Sequence, residues 1–278
     1  MAENTNPEVG RYVRTGDLNT NYHDVGSGAP LLLIHGSGPG VSAFANWRLV
    51  MPLLAERVRV LAPDMAGFGY TEIPDGQEFS REVWLRQLVD FLDAVGVDKV
   101  SVVGNSFGGS MALALAIHHP ERVEKVILMG AVGVPFEITK GLDDVWGYEP
   151  SPELMGRLMR ETFAYDASMI TEEMVQGRYT ASLRTQDSFG RMFPAPRQRW
   201  VDSMAFSEAE VRGITAPTLL VHGRDDQVIP LSTSLTMLEW IDDAQLHVFG
   251  RCGHWTQIEY AKPFARLVLD FLTHDAHE

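Results

Sequence analysis

Six short runs rich in Val, Ile and Leu recur along this 278-residue chain, at residues 31–35, 58–63, 100–104, 125–130, 218–222 and 245–249, each bounded by Gly, Pro or Asp. Continuous apolar character fits strands buried on both faces, as in a parallel sheet covered by helices. Helical spacing fills much of the remainder. Val83, Leu85, Leu88, Phe91 and Leu92 recur near helical intervals within 81–95, and residues 107–118 and 263–271 read the same way. Strands alternating with helices predict an α/β fold built on a mostly parallel, doubly wound sheet.

The alternation fails between about Pro135 and Arg212, where Met, Trp, Arg and Glu recur at helical spacing and Phe193-Pro-Ala-Pro196 forms a rigid turn or linker. The expected organisation is a core in two parts, residues 1–134 and 213–278, with a helical insertion over 135–212. An insertion at the carboxyl end of such a sheet lies where ligands bind.

Composition limits the function classes. With 45% hydrophobic residues, six Trp, thirteen Phe and seven Tyr, the chain is not disordered. Its length suits one large α/β domain, alone or with an insertion. No apolar run is long enough to span a bilayer, and the polar first ten residues give no sign of a secretory leader. The single cysteine excludes an internal disulfide framework and fits a reducing cytoplasm. A net charge of −14, from 23 Lys+Arg against 37 Asp+Glu and with no basic run, argues against nucleic acid and anionic membranes as partners. An anionic small molecule would need a few well-placed arginines.

Gly104-Asn-Ser-Phe-Gly108 matches the G-x-S-x-G nucleophile elbow, with a strand candidate before it and an apolar helix after it. A serine on such a turn projects its hydroxyl, while small neighbours let strand and helix approach. Gly36-Ser-Gly-Pro-Gly40 follows the first apolar run and offers backbone N–H groups to an oxyanion. It is neither a P-loop nor a complete G-x-G-x-x-G. A hydrolytic serine needs a base and an orienting acid. His254, in the loop after residues 245–249, is the best-placed base; His35, His118, His119, His222 and His247 compete less well. Asp225 and Asp226 both follow 218–222 and either could be the acid. No H-E-x-x-H or C-x-x-C is present, so no metal is expected, and Cys252 reads as a small packed residue.

Together these segments resemble a known family. His35-Gly-Ser-Gly-Pro-Gly40, Asn46-Trp47, Ala62-Pro-Asp-Met65, Gly104-Asn-Ser-Phe-Gly-Gly109, Trp146-Gly-Tyr148, Phe193-Pro-Ala-Pro-Arg-Gln-Arg-Trp200, His222-Gly-Arg-Asp-Asp226 and Cys252-Gly-His-Trp-Thr-Gln257 resemble the meta-cleavage product hydrolases. These are carbon–carbon bond hydrolases of the α/β-hydrolase superfamily, and the likeness is strongest to the subgroup acting on monocyclic ring-cleavage products. The resemblance implies an α/β-hydrolase fold with a helical lid. It places the nucleophile on Ser106, the base on His254 and the acid on Asp226, which stands four residues before Pro230. It places the oxyanion donors on the N–H groups of Phe107 and Ser37, with Gly38 as the alternative to Ser37. It places polar substrate contacts on Asn46, Asn105, Arg178 and Trp255.

The implied reaction is cofactor-free hydrolysis of the C5–C6 bond of a 2-hydroxy-6-oxo-hexa-2,4-dienoate, an anionic small molecule. A homo-oligomer, dimer or larger, is also implied. A carboxylesterase would use the same three side chains, and an inactive receptor-type relative is the non-enzyme reading. The group on C6 is left open, with Trp146, Phe136 and Val228 as candidates to set it.

Overall fold

The computed structural model describes residues 6–273. Its centre is an eight-stranded sheet in the order β1-β2-β4-β3-β5-β6-β7-β8. The strands are β1 (Arg11–Thr15), β2 (Leu18–Val25), β3 (Pro30–Ile34), β4 (Arg59–Pro63), β5 (Val100–Asn105), β6 (Val123–Met129), β7 (Thr218–Gly223) and β8 (Ala244–Phe249). β1 and β2 run antiparallel and every pairing from β4 to β8 is parallel.

The central strands are apolar throughout because both faces are covered. Leu32, Ile34, Val102, Leu128 and Leu220 pack into one core with the helices Arg81–Ala94 and Phe107–His118. Their neighbours Leu31, Leu33, Val103, Ile127 and Leu219 point the other way, onto Trp47 and the helix Ala261–Thr273. The side-chain period of two thus distributes one continuous apolar run between two cores. The six expected strands all form, with ends shifted by one or two residues. β1 and β2 were not expected: their sequences, RYVRT and LNTNYHDV, are mostly polar; β1 is largely exposed at the sheet edge, whereas in β2 the buried Thr20 and Asn21 hydrogen-bond to Thr15 and Asp64.

Between β6 and β7 the chain leaves the sheet for the helices Lys140–Trp146, Pro152–Arg157, Glu172–Arg184, Gln186–Met192, Gln198–Met204 and Glu208–Arg212. Phe193-Pro-Ala-Pro196 separates two of these helices. Arg178 Nε donates to the Pro39 carbonyl at 2.8 Å, Thr139 Oγ1 to the Val228 carbonyl at 2.7 Å, and the His254 N–H to the Phe163 carbonyl at 2.8 Å. These contacts hold the segment over the carboxyl ends of the strands. No helix among the described residues is long and apolar enough to cross a membrane.

Candidate active site

β5 ends in the elbow. Ser106 has φ 55° and ψ −117°, a left-handed conformation that a non-glycine residue adopts only under constraint. The constraint is packing. A Cβ on Gly108 would lie 2.3 Å from the Ile34 carbonyl oxygen, and one on Gly104 would lie 2.3 Å from that of Gly108. Only glycine permits this approach of strand, turn and helix, so the motif is spatial as well as conformational. The Ser106 N–H donates to the Met129 carbonyl at 2.9 Å, fixing the turn to β6.

His254 follows β8 in a loop, and its Nδ1 donates to Asp226 Oδ2 at 2.7 Å. The other carboxylate oxygen accepts the N–H groups of Val228 at 2.7 Å and Ile229 at 3.0 Å. Burial pushes the Asp226 carboxyl up. The facing His254, its hydrogen bond, His222 and the Ile229 N–H outweigh that push and hold it below the usual carboxylate range. Asp225 is paired instead with Arg224 on the surface. Of the two acids, Asp226 is the one whose side chain is buried against His254.

The competing histidines are engaged by other partners, although His222 Nε2 lies 3.5 Å from Asp226 Oδ2. His35 is fully buried, donates from Nδ1 to the Gly36 carbonyl at 2.7 Å and accepts the Met65 N–H on Nε2 at 2.9 Å; burial lowers its pKa to about 4. His222 is held by Ser234 and the Ile229 carbonyl, and burial lowers its pKa as well. His118 closes the elbow helix, with His119 as its cap, and His247 is exposed on β8. Burial pushes the Cys252 thiol up to about 12, which removes it as a nucleophile.

One cavity gathers Ser37, Gly38, Asn46, Asn105, Ser106, Arg178, His254 and Trp255. The N–H groups of Ser37 and Phe107 find no acceptor among the described residues, as an oxyanion site requires. Asn105 Nδ2 donates to the Met129 carbonyl at 3.3 Å. Asn46 is buried, and its Nδ2 has no partner among the described residues. Arg178 has no carboxylate within ion-pair distance among the described residues, and its guanidinium lies beside Gly38. Burial lowers its pKa to about 10, so it stays charged at neutral pH.

Two features were not foreseen. Phe163, from the inserted segment, stacks on Trp255 at 4.8 Å and on His254 at 6.2 Å. Trp146 Nε1 donates to Ser37 Oγ at 2.9 Å. Neither leaves a local sequence signal, since both join distant segments. Among the C6 candidates Val228 lines the cavity, together with Leu142 and Val145, whereas Phe136 and Trp146 do not. No group of three metal-binding side chains occurs among the described residues.

A family model for the alpha/beta hydrolase fold matches residues 29–261. A 2-hydroxymuconate semialdehyde hydrolase of Pseudomonas sp. strain CF600 is 56% identical over 98% of this chain and 96% of its own. A 2-hydroxy-6-oxo-2,4-heptadienoate hydrolase of Pseudomonas putida is likewise 56% identical, over 97% and 98%. A meta-cleavage product hydrolase from Pseudomonas fluorescens IP01, solved as a mutant complexed with acetates, superposes with a TM-score of 0.95 at 51% identity, covering 96% of this chain and 98% of that one. Within the alpha/beta hydrolases, the chain belongs to the meta-cleavage product hydrolases.

Proposed function

We propose that Ser106, His254 and Asp226 hydrolyse the C5–C6 bond of a 2-hydroxy-6-oxo-hexa-2,4-dienoate beneath a lid formed by residues 135–212. The enzyme is a carbon–carbon bond hydrolase of aromatic catabolism. The carrying observation is that Arg178, with no carboxylate partner among the described residues, and the buried Asn46 Nδ2, with no partner among them, share one cavity with Ser106 and His254. A guanidinium without a carboxylate partner, held in place by a backbone carbonyl, is suited to bind a dienoate carboxylate. The polar end of the substrate is then assigned to Arg178, Asn46, Asn105 and Trp255.

The C5–C6 bond cannot break until C5 can accept the electron pair. His254, oriented by Asp226, first helps move the 2-hydroxyl proton to C5, which leaves ketones at C2 and C6. Ser106 Oγ, passing its proton to His254, then attacks C6, while the Ser37 and Phe107 N–H groups hold the developing oxyanion. Collapse breaks C5–C6, and the electron pair passes into the dienolate, which takes the proton from His254 and leaves as 2-hydroxypenta-2,4-dienoate. Water, deprotonated by His254, adds to the acyl-Ser106 ester and frees the carboxylic acid. Water supplies the balance of the reaction, and no cofactor enters any step.

The relatives at 56% identity are named for a semialdehyde and a heptadienoate, with hydrogen and methyl on C6, and a phenyl-substrate hydrolase is 37% identical. Together with walls of Leu142, Val145 and Val228, this supports a small C6 substituent. One methylene is worth about 1–3 kcal/mol of discrimination, so a panel differing only at C6 resolves the preference. A cytoplasmic location and a homo-oligomer belong to the same reading.

The test is Ser106→Ala. The variant binds the coloured dienoate and releases no carboxylic acid; turnover at the wild-type rate sinks the assignment. Comparing a nitrophenyl ester with ring-cleavage products separates this reading from a carboxylesterase.

A further inference from the structure

The space at Ser106 is narrow. A second cavity of about 260 Å³ adjoins it and opens to solvent between the helices Ala43–Trp47 and Glu172–Arg184. Asn46, Arg178 and Trp255 line both cavities and so form the partition between them. The outer cavity is largely apolar, with Phe44, Met159, Met174 and Ile258 among its walls.

Its charged groups are Arg48, Arg178 and Glu8. Arg48 is half-buried, donates from Nη1 to the Ala45 carbonyl at 2.7 Å and has no carboxylate within ion-pair distance among the described residues. Glu8 Oε2 accepts from Ser42 Oγ at 2.9 Å. Two guanidinium groups against one carboxylate leave the mouth positive on a chain whose net charge is −14. Arg178 feels the attraction of the Glu8 carboxylate and a weaker repulsion from Arg48, so the two guanidinium groups share a single carboxylate at the mouth.

We propose that the outer cavity is a capture site for the substrate carboxylate, in which Arg48 receives the anion from solvent and Arg178 takes it through the partition. The proposal rests on the anionic dienoate reading above. The overall charge repels such a substrate, and a local cation pair in a half-enclosed, low-dielectric mouth offsets that repulsion. Arg178 lines both spaces, so the carboxylate passes between guanidinium groups without returning to bulk water. The apolar walls accommodate the diene meanwhile.

The experiment compares wild type with Arg48→Gln, Arg48→Lys and Glu8→Gln on a ring-cleavage product, across ionic strengths. Steering by a charge at the mouth appears in kcat/KM and its salt dependence. Arg48→Gln lowers kcat/KM about five- to tenfold at low salt, mainly through KM, and flattens its decline with added salt. Arg48→Lys restores the slope, and Glu8→Gln raises kcat/KM. A neutral nitrophenyl ester loses far less in Arg48→Gln, which separates a capture role from a damaged fold. An unaltered salt slope in Arg48→Gln, or equal losses for ester and dienoate, overturns the proposal. Wild type that turns over only the ester overturns the dienoate reading instead.

Discussion

Trp146 Nε1 donates a hydrogen bond to Ser37 Oγ at 2.9 Å across 109 residues of sequence, tying the inserted helices to the oxyanion loop. Trp146 stacks on Phe193 at 4.4 Å, Phe193 on Trp84 at 6.3 Å, and Trp84 meets the Phe107 ring edge-on at 4.7 Å. A chain of aromatic rings therefore runs from one proposed oxyanion donor to the other. Such pairs add about 0.5–1.5 kcal/mol each beyond burial and hold their partners at fixed orientation.

Trp146→Phe keeps an aromatic ring against Phe193 and removes the indole N–H, with some loss of ring area. A single neutral hydrogen bond is worth about 1 kcal/mol, so kcat falls about fivefold, with a smaller change in KM. Ser37→Ala produces a similar loss, and the double variant is little worse than either single one. Steady-state kinetics on the four proteins checks this; additive losses would show that the two residues act separately.

Asp226→Asn leaves the shape of the site but reverses the demand on His254 Nδ1, because an amide can donate where the carboxylate only accepts. With the imidazole in the wrong tautomer, kcat drops by about 10³- to 10⁴-fold, the range seen for the orienting acid in Ser-His-Asp enzymes. Asp225→Asn, on the exposed neighbour, changes kcat less than twofold.

Arg178→Lys retains a cation but loses the planar fork and the Nε–H donated to the Pro39 carbonyl. KM for the dienoate rises about tenfold or more, and Arg178→Ala raises it further. Titration of the coloured substrate into a Ser106→Ala background measures the affinity directly.

Acid weakens the fold through His35. Its folded pKa, about 4, lies below the ordinary 6.5, so between those values the unfolded chain binds a proton that the native one does not. Stability falls as pH drops through that window, by up to about 1.4 kcal/mol per pH unit from this group. Asp64 opposes it: burial raises its folded pKa from 3.8 to about 6, which favours the native state as pH drops over that span. Removing the ring in His35→Gln flattens the fall in Tm between pH 6.5 and pH 4.

The central strands were legible because burial on both faces demands a continuous apolar run, which composition alone displays. β1 and β2 were not: β1 is an exposed edge strand that keeps polar residues, and β2 buries polar residues such as Thr20 and Asn21 in hydrogen bonds, so both resemble loops in sequence. The elbow was legible because its requirement is steric and local. Gly104 and Gly108 are the only residues that fit between Ser106 and its neighbours, and five consecutive letters record it. Strand spacing alone leaves Asp225 and Asp226 as alternatives and the resemblance chooses Asp226; in the fold Asp226 turns inward and Asp225 outward.

The sequence by itself determined the parallel sheet, the strained serine turn and the loops that carry an acid and a base, because each depends on neighbouring residues or a short hydrophobic period. The tertiary structure decided which polar atoms meet. The Asp226–His254 contact spans 28 residues, Arg178 reaches Pro39 across 139, and Trp146 finds Ser37 across 109. Such pairings are selected by how helices seat on strand ends, and no local pattern encodes that. The positive mouth on an acidic chain has the same origin: net charge is a sum over residues, whereas the field that a substrate meets depends on where a few guanidinium groups are brought together.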